Sequence, residues 1–275
     1  MKYSYLQIKT NSTKKPKEFV GATIRGTFGH QLKEQVCMEP SYKCDGCVYQ
    51  NTCLSYALYP LKDDSLRTFR MDVRLHQNNY DFGLYLFGDF SKDIRIIIQV
   101  LYTMLLSHRL TINELSFPKS QVFYNGKELK FNKNHILEPF KYFSQTLLKT
   151  KHHQDLVIHL LTPTYIKYKG SYKKELSVED IVKSIIKRKH YFETREMVHK
   201  IEHSLSFSSS FSELRAEKVE RVSTRQGKKL FIEGVVGKVT VKGLDEESYH
   251  LLKWGEVVGV GKGTAFGGGA IKIET

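Results

Sequence analysis

Strand, helix, strand, strand, helix, strand, read twice along 275 residues, predicts an α+β chain of two tandem ferredoxin-like (RRM-like, βαββαβ) domains. Three observations carry that prediction. Phe69, Met71, Val73 and Leu75 alternate strictly with polar residues, the period of a half-buried strand. Val20, Ile24, Phe28, Leu32 and Val36 recur at every fourth residue, one stripe of a helix. After a polar stretch around 125–153 the same order of patterns returns. The halves share no visible sequence identity, so duplication is inferred from element order alone. The domains are 1–150, with a cysteine-containing insert at 37–60, and 151–275, with a glycine-rich loop at 259–269.

Each element has its own signal. Residues 3–10 alternate as a first strand, and a Lys/Pro/Ser loop leads to the helix at 19–36. The 69–75 strand turns at Asn78 and Asn79 into a second strand that buries Phe82, Leu84 and Leu86. Arg70 and Arg74 share the polar face of that hairpin, which suits RNA contact and a solvent-facing surface equally well. Residues 94–106 are too long an apolar run for one strand and read as a buried helix; 122–124 closes the unit. In the second domain 156–161 is a strand. Ser177 and Asp180 make a capping-box-like start, with Asp in place of Glu, for a helix to about 199. Its Lys183, Lys187, Arg188 and Lys189 read as a solvated charged face. A serine-rich loop at 204–212 precedes a hairpin of 214–224 and 230–241 around Gln226 and Gly227. A short helix at 245–254, the glycine loop and a strand at 270–273 complete the chain.

Forty-three Lys and Arg against 29 Asp and Glu leave a net charge of +14, which favours a polyanionic partner such as nucleic acid, or an anionic membrane surface. Hydrophobic content of 40% suffices for a folded core. No apolar run reaches the length of a membrane span and no signal-peptide pattern opens the chain, so a cytoplasmic protein with no membrane partner is expected. The 16 Tyr and 16 Phe show no clustered platform and read mostly as core.

Residues 259–269 hold six of the chain's 19 glycines, a density that suggests backbone lying close against something else. A phosphate-binding loop of the NTPase type is excluded. That motif needs a glycine five places before Gly261, where Glu256 stands, and too few residues follow Thr264 to build the helix and sheet it requires. Instead, Gly259, Val260 and Gly261, five residues, then Gly267, Gly268 and Gly269 resemble the C-terminal glycine-rich loop of the RAMP superfamily, the RNA-binding proteins of CRISPR systems. Gly268 stands where a large apolar residue is usual. Within that superfamily the chain is most similar to the endoribonucleases that cut the repeat transcript into guide RNAs, the sixth Cas family. The run from Gly21 through His30 to Lys33 resembles their first helix, with Ile24 where leucine is usual. Thr162, Pro163 and Thr164 resemble the opening of their second domain.

The resemblance implies a metal-independent cut of CRISPR repeat RNA. A 2′-hydroxyl attacks the neighbouring phosphate and leaves a 2′,3′-cyclic phosphate. The nucleophile is already tethered, so what remains is a base, an acid and positive charge for the phosphorane. His30 is the candidate for proton transfer, because imidazole titrates near neutrality; His76 and His108 stand in reserve. Lys33, three residues on and on the same helical face, is the second catalytic candidate, through charge stabilisation. Arg25 is a weaker candidate for RNA contact there. Arg221, Arg225, Lys228 and Lys229 of the basic hairpin, and Gly261, Lys262 and Gly263 of the loop, fall where the family contacts repeat RNA.

Cys37, Cys44, Cys47 and Cys53 follow Cys-x6-Cys-x2-Cys-x5-Cys, and no cysteine lies elsewhere. In a cytoplasmic chain such clustering suggests four thiolates around a structural zinc, with an iron–sulfur cluster the lesser alternative and four reduced thiols the plain one. The run resembles the insert after the first helix in part of the same branch. Catalysis calls for no cofactor. Implied partners are CRISPR repeat RNA and the guide RNA product, with an effector complex as a further possibility. Two alternatives remain: a non-catalytic RAMP subunit that only binds guide RNA, and a zinc-stabilised nucleic-acid-binding protein outside CRISPR.

Overall fold

The computed structural model describes the whole chain except residues 14, 17–18, 61–65, 91, 107–116, 118, 133–134, 138–141, 169–170, 174, 199 and 224–227; at 135, 168, 221–223 and 228 it describes the backbone alone. Two compact units result, one made of residues 2–73 and 77–145, the other of 146–275 with residue 1 and 74–76.

The first unit runs β1 (Tyr3–Lys9), α1 (Gly21–Val36), α2 (Leu54–Leu58), β2 (Phe69–Asp72), β3 (Phe82–Phe87), α3 (Ile94–Leu106), β4 (Gln121–Tyr124) and β5 (Lys127–Leu129). Two-residue strands β6 (Phe131–Asn132) and β7 (His135–Ile136) form a separate small hairpin. The main sheet is antiparallel in the order β2-β3-β1-β4-β5, so the first strand lies between the third and fourth. That is the split βαβ arrangement with β5 added at one edge. Its core joins Leu6 and Ile8 to Leu84 and Leu86 of the sheet, under Ile24, Phe28 and Leu32 of α1 and Ile97, Ile98 and Leu101 of α3. Val36, the last member of the helical stripe, is only half-buried.

The other face of this sheet departs from the expectation for Arg70. Arg70 is buried, its Nη2 donating to Asp72 Oδ1 at 3.0 Å and its guanidinium 4.9 Å from the ring of Tyr85. The reason lies across the strands: Arg70 opposes Tyr85, which opposes Tyr5, and the two rings are 4.3 Å apart. Tyr3, Tyr5, Tyr85 and Phe87 thus collect on the face that alternation alone left polar. The repeats Tyr3-x-Tyr5 and Tyr85-x-Phe87 were the available signal.

The second unit runs β8 (Leu156–Thr164), β9 (Lys167–Tyr168), β10 (Ser171–Tyr172), α4 (Val178–Thr194), β11 (Ser209–Ser223), β12 (Lys228–Lys242), α5 (Glu246–Val258), a 3-10 turn at Thr264–Phe266, and β13 (Ile271–Glu274). Its sheet has the order β11-β12-β8-β13, again antiparallel with the first strand inside. Both domains are therefore ferredoxin-like, and the element order read from sequence holds twice. α4 and α5 pack on the sheet through Ile181, Val182, Ile185 and Leu252 against Ile158, Leu160 and Ile273.

The capping box forms as read. Ser177 Oγ accepts from the Asp180 backbone N–H, and Asp180 accepts from Ser177 N–H at 3.1 Å. The helix stops earlier than expected, at Thr194, because Arg195 turns into the left-handed region with φ of 66°. The serine-rich segment is not all loop: β11 begins at Ser209, where pairing with Lys242 of the long partner strand outweighs the low strand propensity of serine. No described helix is long and apolar enough to cross a membrane.

Candidate nucleic-acid interface

The glycine loop begins where α5 ends. Gly259, Gly261, Gly263, Gly267 and Gly269 all have positive φ, between 67° and 92°. The run folds back on the end of β8, with Lys262 N–H donating to Tyr165 O at 2.8 Å and Gly269 N–H to Pro163 O at 3.0 Å. A Cβ at Gly261 would lie 2.1 Å from Tyr165 O, so the bare backbone there is used by the chain's own fold. Gly263 differs: a Cβ there would meet only Ile232 Cγ2, at 4.0 Å. Most of the run is buried, whereas Lys262 is exposed and Gly261 and Gly263 are half-exposed. What the loop offers to a ligand is thus the tip at 261–263.

Arg188 holds that tip from beneath. Expected on a solvated face, it is instead 3% exposed, while Lys187 on the same helix points outward. Its Nε donates to Val258 O at 2.8 Å, Nη1 to Gly261 O at 3.3 Å, and Nη2 to Thr264 Oγ1 at 2.7 Å. A guanidinium fork can span three acceptors, which a lysine ammonium on a single stem cannot. Ser184, one turn earlier, accepts from Gly261 N–H at 2.7 Å. The neighbouring Lys183 and Lys189 do lie on the outer face, paired with Glu179 at 2.6 Å and Glu193 at 2.9 Å.

Strands β11 and β12 pair from Ser209↔Lys242 to Ser223↔Lys228, but β8 joins β12 only from Val235 onward. The remainder is a two-stranded ribbon that runs past the sheet. Lys229 is on that ribbon, its Nζ 2.6 Å from Glu220 Oε1. Arg221 opposes Leu230 and Lys228 opposes Ser223 by backbone pairing, while Arg225 lies outside the described residues. Lys218 also belongs to the ribbon, paired with Glu233 at 2.7 Å and 4.0 Å from the Phe231 ring. Ile232 of β12 borders the space that a Cβ at Gly263 would fill, which sets the loop tip beside the ribbon. Lys262 forms no ion pair among the described residues.

In the first unit His30 projects from α1 with an 81% exposed side chain, its Nδ1 4.0 Å from Glu34 Oε1. Lys33 is turned to other use: its Nζ donates to Tyr42 O at 2.5 Å, tying the insert to the helix. Arg25 lies 5.2 Å from the ring of Tyr59, whose hydroxyl donates to Arg25 O at 2.8 Å. Burial pushes the Tyr59 phenol well above its ordinary range. His76 follows β2 in the left-handed region, and His108 lies outside the described residues.

The four thiols expected around zinc lie between α1 and α2. Cys44 and Cys47 do share a tight turn, with Gly46 at φ of 68° and Cys47 N–H donating to Cys44 O at 3.4 Å. Cys37, however, is fixed at the C-terminal end of α1 and Cys53 at the N-terminal end of α2. Among the described residues no three Cys, His, Asp or Glu side chains gather around one point.

Residues 158–271, which span β8 through the glycine loop, match the family model for the CRISPR-associated endoribonuclease Cas6. Over those residues the chain is similar to Cas6. A second family model, for an N-terminal domain, matches residues 2–128. Among solved structures, a Thermus thermophilus Cas6 product complex superposes with a TM-score of 0.58 at 15% identity, over 99% of this chain and 98% of that one. Another Cas6 product complex gives 0.55 at 15% identity over the full length of both. A crystal structure of Cas6b gives 0.51 at 10% identity, over 98% and 99%. A search of curated proteins finds no match. At these identities the Cas6 structures establish the fold, and the family match falls on the domain that carries loop and ribbon.

Proposed function

We propose that this chain is an endoribonuclease that cuts CRISPR repeat RNA into guide RNAs without a metal. The observation that carries the reading is the loop tip at 261–263. It carries an exposed lysine with no ion pair among the described residues, and is held from beneath by a buried arginine within the segment matched to Cas6. Lys262 and the ribbon cations hold phosphates, the role that cations serve on any RNA strand. His30 moves the proton of the attacking 2′-hydroxyl, which closes on its own phosphorus while the 5′-oxygen leaves. The products are a 2′,3′-cyclic phosphate and a 5′-hydroxyl end. Holding the tethered nucleophile in line supplies much of the acceleration.

His30→Ala tests the assignment. The variant is expected to bind repeat RNA as the parent does and to cut it at least about 100-fold more slowly, the usual weight of one acid–base group. Unchanged cleavage rejects His30. One observation favours a second reading, a guide-RNA-binding RAMP subunit without activity: Lys33 is engaged with Tyr42 and not with His30. Tight binding of repeat RNA by the parent chain with no product supports that reading.

A further inference from the structure

Tyr165 leaves β8 and forms an antiparallel bridge with Lys262. Residues directly opposed in such a bridge carry their side chains on the same face, so the ring and the lysine stand side by side. Lys167 follows two positions later in the same extended run and returns to that face. The short hairpin β9–β10 then opposes Tyr172 to Lys167, and Lys173 N–H continues the pairing to Ile166 O at 3.0 Å. The rings confirm the placement: Tyr165 and Tyr172 have centroids 5.9 Å apart. Their planes are inclined by 54°, so neither ring covers the other's face. Both rings are half-exposed, both lysines are exposed, and neither lysine is ion-paired among the described residues.

We infer that Tyr165, Lys167, Tyr172 and Lys262 form a binding site for unpaired RNA. The two rings stack on bases and the two ammonium groups take the adjoining phosphates. The inference rests on the reading of the second domain as an RNA-binding unit and adds to it the class of RNA, single-stranded at this point. Alternation of cations with flat apolar faces matches the phosphate–base repeat of a single strand. A duplex hides its base faces within the stack and offers such rings nothing to pair with. No base-specific donor is needed, so the site tolerates sequence while the ribbon and the scissile linkage set register.

The test uses the full chain and a fluorescein-labelled, unstructured RNA of about ten nucleotides, a length within the reach of one such module, with a duplex of the same length beside it. Tyr165→Ala and Tyr172→Ala are each expected to weaken binding of the single strand about 10- to 100-fold. Tyr172→Phe keeps the flat ring and is expected to stay within about 2-fold of the parent. Lys167→Ala is expected to flatten the salt dependence of binding by about 0.7 in the log–log slope. If Tyr172→Ala unfolds, Tyr172→Leu keeps the bulk without the π face and is expected to bind as weakly as the alanine variant. Ultraviolet cross-linking followed by peptide mapping is expected to mark Tyr165 or Tyr172.

Parental affinity in both tyrosine variants overturns the inference, as does a phenylalanine variant as weak as alanine, or equal loss on the duplex. A parent that binds the single strand but leaves repeat RNA uncut keeps this site and rejects the nuclease. A parent that cuts repeat RNA, with tyrosine variants that bind like it, does the reverse.

Discussion

Arg188 decides where Lys262 stands. It links the last carbonyl of α5, the carbonyl of Gly261 and the hydroxyl of Thr264, and no water reaches it to take over when it is removed. Arg188→Ala strands buried acceptors and opens a cavity, and should lower the unfolding free energy by about 3 kcal/mol. Arg188→Lys should recover less than half, because a single ammonium cannot meet three acceptors in a fork. Denaturant midpoints measure both, and a loss under about 0.5 kcal/mol contradicts the anchor. The two half-exposed glycines separate in the same way. Gly263→Ala meets only Ile232 at 4.0 Å and should cost the left-handed penalty, about 1 kcal/mol. Gly261→Ala drives a methyl into Tyr165 O and should cost clearly more. Neither distinction was legible in the sequence. Arg188 is the middle of a run of three cations, and only the packing of α4 on α5 shows that one of them turns inward.

Among the elements, α4 was read most fully in advance, because its start is written in local chemistry. Ser177→Ala removes half of a reciprocal cap and should cost about 1 kcal/mol. Burial works to raise the Asp180 carboxyl, but hydrogen bonds from Lys173 and from Ser177 outweigh it and hold the group below its usual range. At Asp245, the N-cap of α5, burial is likewise outweighed by the backbone N–H groups of Ser248 and Ser206. A carboxylate depressed in the folded state stabilises it above the unfolded value, near about 3.9, and loses that contribution as pH falls through the folded value. Thermal midpoints should therefore drop on acidification below about pH 4, and Asp245→Asn, which caps without titrating, should flatten part of that drop. An unchanged acid limb for Asp245→Asn contradicts the assignment. Elements whose limits depend on a distant partner were less legible. β11 reaches back to Ser209 only because β12 is there to pair with it, and Arg70 is buried because Tyr85 lies across from it. The cysteine spacing suggested one centre, and Cys37 and Cys53 flank it at the ends of α1 and α2.

At the scale of the molecule, a net charge of +14 and a bare loop tip beside a basic ribbon make RNA affinity steeply dependent on salt. Lys262→Ala should lower affinity and reduce the log–log salt slope by about 0.7, the share of one phosphate contact on a single strand. Lys229→Ala should change the slope less, since Glu220 already partly neutralises that ammonium. Equal slopes for parent and Lys262→Ala would remove the loop tip from the interface. The order of elements was legible because periodicity and turn chemistry are local properties. The placing of Tyr165 and Tyr172 beside Lys262 was not, since a bridge between positions so far apart in sequence leaves no pattern.

The central claim is that repeat RNA is cut by its own 2′-hydroxyl. The most direct measurement is end-group analysis of repeat RNA incubated with the full chain in excess EDTA. Products ending in a 2′,3′-cyclic phosphate, with 5′-hydroxyl partners and a yield unaffected by the chelator, are what the proposed chemistry predicts. Intact RNA, or fragments with 5′-phosphate ends that appear only when a divalent ion is restored, would contradict it.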